Sequence, residues 1–435
     1  MAKHSTNAGM RVFIIIWVGQ LVSVIGSGLT TFALNVWVYQ HTGSVTQFAL
    51  ISLCNQLPLI LISPLAGALV DRWNRRWSMI ISDAGAGLSI MAIALLFALG
   101  RLEIWHIYIA CATSATFSAF QWPAYSAAIP LLVPKQHLGR VSGMTQLGES
   151  VAQLISPVLG GVLLMAIQLQ GVLLIDVATF LFSLVTLFLV RFPNAKTTTT
   201  GEVGKTSLLQ EVAYGWNYIT ARPGLVGLLI FFVADNFFTA IFTVLFTPLV
   251  LSFASPAILG TILSIEGLGL LLGSLVISTW GGPTRLIQGL FVFQMLASLC
   301  ILVDGLRPSV PLVALATFLF SFGAPIFNSC SHVIWQKKVA IKLQGRVFAV
   351  RRTIACISLP LAYLIAGPLV ERVFQPLMAV NGPLASSIGQ LIGVGPGRGI
   401  GLLFVVLGAV SILIPIVAYQ YPRLRFVENE LPDQI

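Results

Sequence analysis

Apolar runs about twenty or more residues long recur from one end of the chain to the other, separated by short breaks. They read at 12–39, 46–70, 78–100, 104–132, 141–168, 171–190, 225–252, 256–280, 286–304, 309–335, 346–371 and 399–420. Turn and breaker residues punctuate them: His41, Thr42, Gly43 and Ser44; Val133, Pro134 and Lys135; Gly281, Gly282 and Pro283; Arg307 and Pro308. An apolar helix of about twenty residues spans the hydrocarbon core of a bilayer. The pattern therefore predicts an all-α integral membrane protein with twelve transmembrane helices. The first run is too long for the apolar stretch of a signal peptide, and no small-residue cleavage site follows it. It is expected to be the first membrane helix.

One long polar stretch, 191–224, divides the twelve runs six and six. Expected domains are a six-helix half at 1–190, a cytoplasmic linker at 191–224, a second six-helix half at 225–421 and a cytoplasmic tail at 422–435. Within the linker, Ser207 and Gln210 stand at capping-box spacing. Leu208, Val212, Trp216 and Ile219 then recur at helical spacing. This predicts a short amphipathic helix on the inner membrane surface, with those four residues as its apolar face.

Composition sharpens the picture. Of 435 residues, 57% are hydrophobic and only 9% charged, and the mean hydropathy is +0.93. The net charge of +10 would suggest nucleic acid in a soluble protein, but its distribution says otherwise. If the loops after the second, fourth, sixth, eighth and tenth helices and both tails share one face, that face, with Arg351 and Arg352 just inside its membrane edge, holds 20 of the 24 Lys and Arg residues. Only Arg101, Arg307, Arg372 and Arg398 fall on the other. Basic residues stay in the cytoplasm, so both termini are expected there, in the inner or plasma membrane. Trp37, Trp73, Trp77, Trp105, Trp280 and Trp335, near run ends, suit an interfacial belt. Cys54, Cys111, Cys300, Cys330 and Cys356 all lie in apolar runs without metal-ligand spacing. They read as small buried hydrophobes, and no metal or cofactor is expected. Gly204, Lys205 and Thr206 resemble the end of a phosphate loop, but Thr199 stands where its first glycine belongs and no strand precedes it. Nucleotide binding is not expected.

The halves are related. Gly67 to Val70 reads Gly-Ala-Leu-Val, and Gly273 to Val276 reads Gly-Ser-Leu-Val, 206 residues later. Gly139, Arg140 and Val141 recur as Gly345, Arg346 and Val347 at the same offset. Two parallel six-helix repeats are a transporter architecture, with the substrate site at mid-membrane and rocking motions that alternate access.

The loop after the second run concentrates charge: Asp71, Arg72, Arg75 and Arg76 fall within six residues. With Gly67 they resemble the signature G-x-x-x-D-R-x-G-R-[RK] of the major facilitator superfamily, Asn74 replacing a glycine. Asn tolerates the left-handed backbone that a tight turn there would use. The stretch from Pro123 to Val141, the SPVLGG stretch of Ser156 to Gly161, and the GRVFAVRR stretch of Gly345 to Arg352 are similar to the macrolide-efflux and enterobactin-exporter-like branch of the drug:proton antiporters. The resemblance implies a conformational latch at Gly67, Asp71, Arg72, Arg75 and Arg76. In it, Asp71 faces the positive N-terminus of the eleventh helix, and the contact breaks when the cytoplasmic side opens. A plain positive-inside turn explains the arginines but not the acid or the glycine spacing. Pro157, Gly160 and Gly161 resemble part of the family's fifth-helix pattern and are expected to kink and pack that helix. Ala152 departs from that pattern. So does Ser27, which follows Gly26 where related exporters carry an acid.

Ionisable groups inside a membrane are functional candidates. Glu149, Asp235 and Glu266 lie near the middle of their runs, on helices that line the family's cavity, and are expected candidates for proton coupling. Each is also open to a reading as a packing residue. Asp83 and Asp176 lie nearer run ends, and structural roles are expected for them. Arg351 and Arg352 are expected to snorkel to the cytoplasmic surface, the alternative being attraction of an anionic substrate. His332 reads as structural. Trp122, Tyr125, Phe237, Phe238 and Asn328 are candidates for a substrate cavity, with Phe117 and Phe120 nearby, suited to amphipathic organic molecules.

The expected function is secondary active transport: proton-coupled efflux of an amphipathic small molecule such as a macrolide-like drug, siderophore or natural product. The expected partners are that substrate, a proton as counter-ion and the lipid bilayer, in a monomer. A lipid-related flippase or an uncoupled facilitator is the rival within transport. A non-transporting membrane receptor or assembly partner is the rival outside it. An enzyme is not expected, because no GxSxG or metal-ligand cluster occurs in the runs.

Overall fold

The structure, a computed structural model, describes residues 2–70, 73–133, 137–190, 208–340 and 343–430. The helices come in the order the hydropathy pattern predicts. They are α1 (Ala2–Thr42), α2 (Val45–Val70), α3 (Arg75–Ala98), α4 (Ile104–Leu132) and α5 (Leu138–Leu189). After the short α6 (Leu208–Thr220) come α7 (Pro223–Leu251), α8 (Pro256–Trp280), α9 (Leu286–Leu306), α10 (Val310–Lys338) and α11 (Gln344–Leu369). A π-helical turn, Val370–Phe374, and the short α12 (Gln375–Leu377) and α13 (Ile388–Ile392) lead to α14 (Arg398–Gln420). The chain then ends in the short α15 (Pro422–Arg425) and α16 (Val427–Glu430). The 52 residues of α5 are two limbs that meet at Gln168, whose φ of 56° and ψ of −176° break the helix. Counting those limbs separately, twelve helical segments match the twelve apolar runs among the described residues.

Local chemistry sets the ends. The Ser44 hydroxyl accepts from the Gln47 amide and starts α2, and Ser255 does the same with Ile258 for α8. Asn74 caps α3, its Oδ1 accepting from the Arg76 amide at 3.1 Å. Its φ of −68° and ψ of 115° are extended, so the left-handed turn anticipated there does not occur. Asparagine stands at this position as a helix cap, a job glycine does with no side chain. Gly100, at φ 64°, turns the chain off α3 and lets the Arg101 amide reach back to the Leu96 carbonyl.

The contacts group into two units. Unit 1 holds residues 1–43, 50–201 and 255–264; unit 2 holds 44–49, 202–254 and 265–435. In unit 1, two apolar clusters form at opposite ends of the helices. One gathers Phe13, Ile16, Met79, Tyr125, Val141 and Leu187; the other gathers Leu29, Leu34, Ile51, Ile93, Ile107 and Leu173. A polar layer lies in the same helices. Gln20 Nε2 donates to Asp83 Oδ2 at 2.7 Å and to Ser183 Oγ at 3.0 Å. Gln121 donates to Asp83 Oδ1 and to Gln20 Oε1. Asp83 is 6% exposed, so Gln20, Gln121 and Ser183 satisfy a carboxylate that lipid or a dry core would otherwise penalise. In unit 2, one large cluster joins α7, α9, α10 and α11 with Ile219 of α6, and Trp335 is fully buried in it. Between helices in lipid, such contacts act through van der Waals packing, because lipid tails are as apolar as the side chains.

The helix α6 forms. Of its expected apolar face, Ile219 is buried and Trp216 is exposed, and Gly215 packs beside Ile219. A β-carbon at Gly215 would press on Val350 and on the Arg346 carbonyl of α11. The Tyr218 hydroxyl also donates to the Lys338 carbonyl at 3.0 Å. The contact of Gly215 with α11 was not legible in the helical spacing, because it depends on a helix more than a hundred residues away. Residues 191–207, Ser207 among them, lie outside the described residues, as do the side chains of Leu208 and Val212.

Candidate functional site

Unit 2 encloses a cavity of about 460 Å³ among α7, α9, α10 and α11. Each helix presents one face to it. From α7 come Phe232, Asp235, Asn236 and Thr239; from α11 come Phe348, Arg351, Arg352 and Ala355. These sets follow the i, i+3, i+4, i+7 spacing of a helical stripe. Phe293 and Gln294 of α9 and Phe327, Asn328 and His332 of α10 complete the polar and aromatic wall.

Asp235 is 8% exposed and hydrogen-bonded to Gln294 and Thr239. Gln294 was not anticipated as a site residue. It stands 59 positions from Asp235 in the sequence, on another helix, and no local pattern links them. Arg351 does not snorkel. Its Nη2 donates to Ser331 Oγ at 2.6 Å, and its guanidinium lies 5.2 Å from the Phe232 ring and 5.1 Å from the Trp335 ring. Cation–π attraction and one hydrogen bond hold it inside the bundle. Arg352 lines the same cavity.

The candidates chosen from the sequence separate. Asp235 and Asn328 share this cavity. Phe237 and Phe238 do not line it; their rings pack against each other, edge to face, at 5.5 Å. The stripe 232, 235/236, 239 fixes the facing side of α7, and positions 237 and 238 turn away from it. Trp122 and Tyr125 belong to unit 1, where Trp122 is exposed and Tyr125 is buried in the core cluster and bonded to Thr145. Glu149 is half-buried on the first limb of α5, within electrostatic reach of Tyr125. Glu266 is half-buried on α8 and does not line the cavity.

Sequence reasoning missed two further carboxylates. Asp304, at the end of α9, is 2% exposed, and neither carboxylate oxygen has a hydrogen-bond partner among the described residues. Glu266 lies within its electrostatic reach. Glu371, in the π-helical turn after α11, accepts from Ser44 Oγ at 2.8 Å, from the Thr46 amide at 3.0 Å and from Thr46 Oγ1 at 2.6 Å. Both acids sit at span ends, where an acid ordinarily meets water, so position alone gave no signal. The acid absent at Ser27 has a neighbour from elsewhere: the Ser27 hydroxyl donates to Asp176 Oδ1 at 3.3 Å. Asp176 is 1% exposed, deeper than its place in the run suggested, because the second limb of α5 packs along α1.

Of the expected latch, Asp71 and Arg72 lie outside the described residues, as do the surroundings of Gly67 and the side chain of Arg75. Arg76 Nη2 donates to the Phe188 carbonyl at 2.9 Å and ties the start of α3 to the end of α5.

The fifth-helix residues act through packing. Pro157 lies inside the helical first limb of α5, and the break at Gln168 falls between the two expected spans. A β-carbon at Gly161 would stand 2.6 Å from the Pro256 carbonyl oxygen at the start of α8, and one at Gly160 would press on Phe32. Gly260 of α8 in turn crosses at the Pro157 carbonyl.

Comparison with known proteins agrees with this architecture. The chain matches the Major Facilitator Superfamily model over residues 16–363. It is 24% identical over 373 residues to macrolide efflux protein A of Streptococcus pyogenes, covering 83% of this chain and 90% of that protein. It is 24% identical over 432 residues to multidrug efflux pump Tap of Mycolicibacterium fortuitum, covering 97% and 98%. Among solved structures, nucleoside transporter NupG superposes with a TM-score of 0.69 at 14% identity, covering 94% of this chain and 99% of that one. A bacterial homolog of the human lysosomal transporter Spinster gives 0.68 at 13% identity, covering 95% and 97%. With twelve apolar helices, an internal repeat and a family match across most of its length, this chain is an integral multi-pass membrane transporter of the Major Facilitator Superfamily.

Proposed function

We propose that the protein exports amphipathic small molecules across the plasma membrane by alternating access, with protons as the counter-ion. The observation that carries this reading is the cavity in unit 2. Its wall joins five phenylalanines to a few convergent polar groups, the composition of a site for a partly apolar organic ligand. The similarity to relatives named for macrolide and multidrug efflux supports the outward direction. Asp235, Glu149 and Glu266 are the carboxylates proposed to exchange protons. Asp235 is the strongest of the three, because it alone faces the cavity. A carboxylate that must trade its proton in step with substrate needs access to the same space as the substrate. In this reading Gly67, Asp71, Arg72, Arg75 and Arg76 form the cytoplasmic latch, both termini are cytoplasmic, and the monomer is the working unit.

The test is accumulation of labelled amphipathic compounds in efflux-deficient bacteria that make the wild type, Asp235→Asn, Asp71→Asn or no transporter, with and without a protonophore. The wild type is expected to lower accumulation of at least one compound, and the protonophore to cancel that effect. Asp235→Asn is expected to abolish uphill export. Correct insertion with accumulation equal to the empty vector across a broad panel would remove the export reading. Export that survives both the protonophore and Asp235→Asn would leave an uncoupled facilitator.

A further inference from the structure

The charges that face the unit 2 cavity do not balance. Two guanidiniums, Arg351 and Arg352, line it, with the imidazole of His332 beside them. Arginine stays protonated in proteins, so both positive charges are permanent. Among the described residues, Asp235 is the only carboxylate in the wall. It is 8% exposed and already bonded to Gln294 and Thr239. Neither arginine has a carboxylate partner among the described residues. Arg351 is moreover fixed, by Ser331 and by two aromatic rings, with the rest of its donor fork unspent. Arg351 is half-buried, and a cation partly withdrawn from water without a counter-ion is stabilised by an arriving anion; Arg352 is exposed to the same space and adds a second charge.

The surrounding wall defines the rest of the ligand. Phe348 stands one turn before Arg351 on the same face of α11, and Phe232, Phe293 and Phe327 extend the aromatic surface from the neighbouring helices. Asn328 and His332, both exposed to this space, add neutral polar contacts. We propose that this cavity is a binding site for anionic amphiphiles, in which a carboxylate or phosphate head pairs with Arg351 and Arg352 while an apolar body lies on the phenylalanines. The proposal rests on the reading of this cavity as the substrate site, and it narrows that substrate to molecules that carry an acid group. The head could come from a soluble organic acid or from an anionic lipid, and the chemistry of recognition is the same for both.

The experiment uses the full chain in phosphatidylcholine nanodiscs and three matched fluorescent probes: 11-(dansylamino)undecanoic acid, its methyl ester and its dimethylaminoethyl amide. The acid is expected to bind at least about tenfold more tightly than the ester, as for a charge-assisted pair in a desolvated site. The amine is expected to bind most weakly. Arg352→Gln is expected to cut the acid-over-ester preference several-fold, and Arg351→Gln to remove most of it. Arg351→Lys is expected to keep part of it, which separates lost charge from lost packing. Equal affinity for the three probes would overturn the proposal, as would tighter binding of the amine, no binding of any probe, or a preference unchanged in the double glutamine variant. Nanodiscs with phosphatidylglycerol distinguish the sources: displacement of the acid assigns the site to a lipid head, and undiminished binding assigns it to a soluble acid. Binding in nanodiscs needs no transport. Selective binding without lowered cellular accumulation of the acid would sink export and keep the site. Export of neutral or cationic compounds by a protein with no charge preference would do the reverse.

Discussion

The two limbs of the repeat meet their neighbours through the same device, built with different chemistry. Gly161 of α5 and Gly367 of α11 stand 206 residues apart, the offset that relates the two halves. In unit 1, Gly161 lets α5 approach the backbone of Pro256 and Ala257 at the start of α8. In unit 2, Gly367 lets α11 approach the backbone of Thr46 at the start of α2. Each approached helix begins with a serine cap, Ser255 or Ser44. Beyond that point the two crossings differ. One turn after Gly367, Glu371 accepts three hydrogen bonds from Ser44 and Thr46. One turn after Gly161 stands Met165. The first turn of α8 offers less in any case: Pro256 has no amide hydrogen, and Ala257 has no hydroxyl. A carboxylate at a helix N-terminus gains from both the free amides and the helix dipole. The α2 crossing is therefore clasped by a carboxylate, whereas the α8 crossing pairs close packing with a hydroxyl further along, Ser264 Oγ donating to the Leu154 carbonyl of α5. A repeat can keep its backbone geometry while its two copies diverge in how firmly they hold.

The largest change expected from breaking this comparison is Gly367→Leu. The new side chain meets helix backbone, which cannot rotate aside, so overpacking costs about 3 kcal/mol or more. Loss of monodisperse protein and of export is expected, and a wild-type Tm in this variant would refute the close crossing. Gly161→Leu is next. Its obstruction is also backbone, but with no clasp to break, the expected cost is about 1–3 kcal/mol, read as a lower Tm in the same detergent.

Glu371→Gln sharpens the comparison without steric change. The clasp is solvent-exposed, so the expected loss is modest, about 1 kcal/mol, visible as faster hydrogen exchange at the Thr46 amide. Unchanged exchange there would mean that the carboxylate does not hold α2. The smallest effect is expected from Met165→Glu, which places an acid at the corresponding point of unit 1. With no hydroxyl on Ala257 to receive it, the change is expected to leave Tm within the scatter of surface substitutions, about 0.5 kcal/mol. A clear stabilisation would show that the two helix starts are chemically equivalent after all.

The polar interiors repeat this lesson. Each unit joins its first and third helices with an Asp–Gln pair, Asp83 with Gln20 in one and Asp235 with Gln294 in the other. In unit 1 the carboxylate is enclosed by Gln20 and Gln121, and in unit 2 it borders the cavity. From the sequence, Asp83 and Asp235 were told apart only by depth in their runs. The structural difference lies in which neighbouring faces close over them, and those faces come from residues far away in the chain.

The amino-acid sequence by itself determined the twelve spans and their order. Each follows from the length of apolar runs and the residues that break them, which are one-dimensional properties. It also marked Asp235 and Asn328 as site candidates, because polar groups in mid-span must earn their place. Tertiary structure alone decided which polar groups meet. It turned Phe237 and Phe238 away from the cavity, drew Arg351 inward onto Phe232 and Trp335, and paired Asp235 with Gln294. It also gave Glu371 its partners 325 and 327 residues away. The physical reason is that helix period fixes which residues share a face, whereas the rotation and approach of each helix depend on the packing of all its neighbours at once.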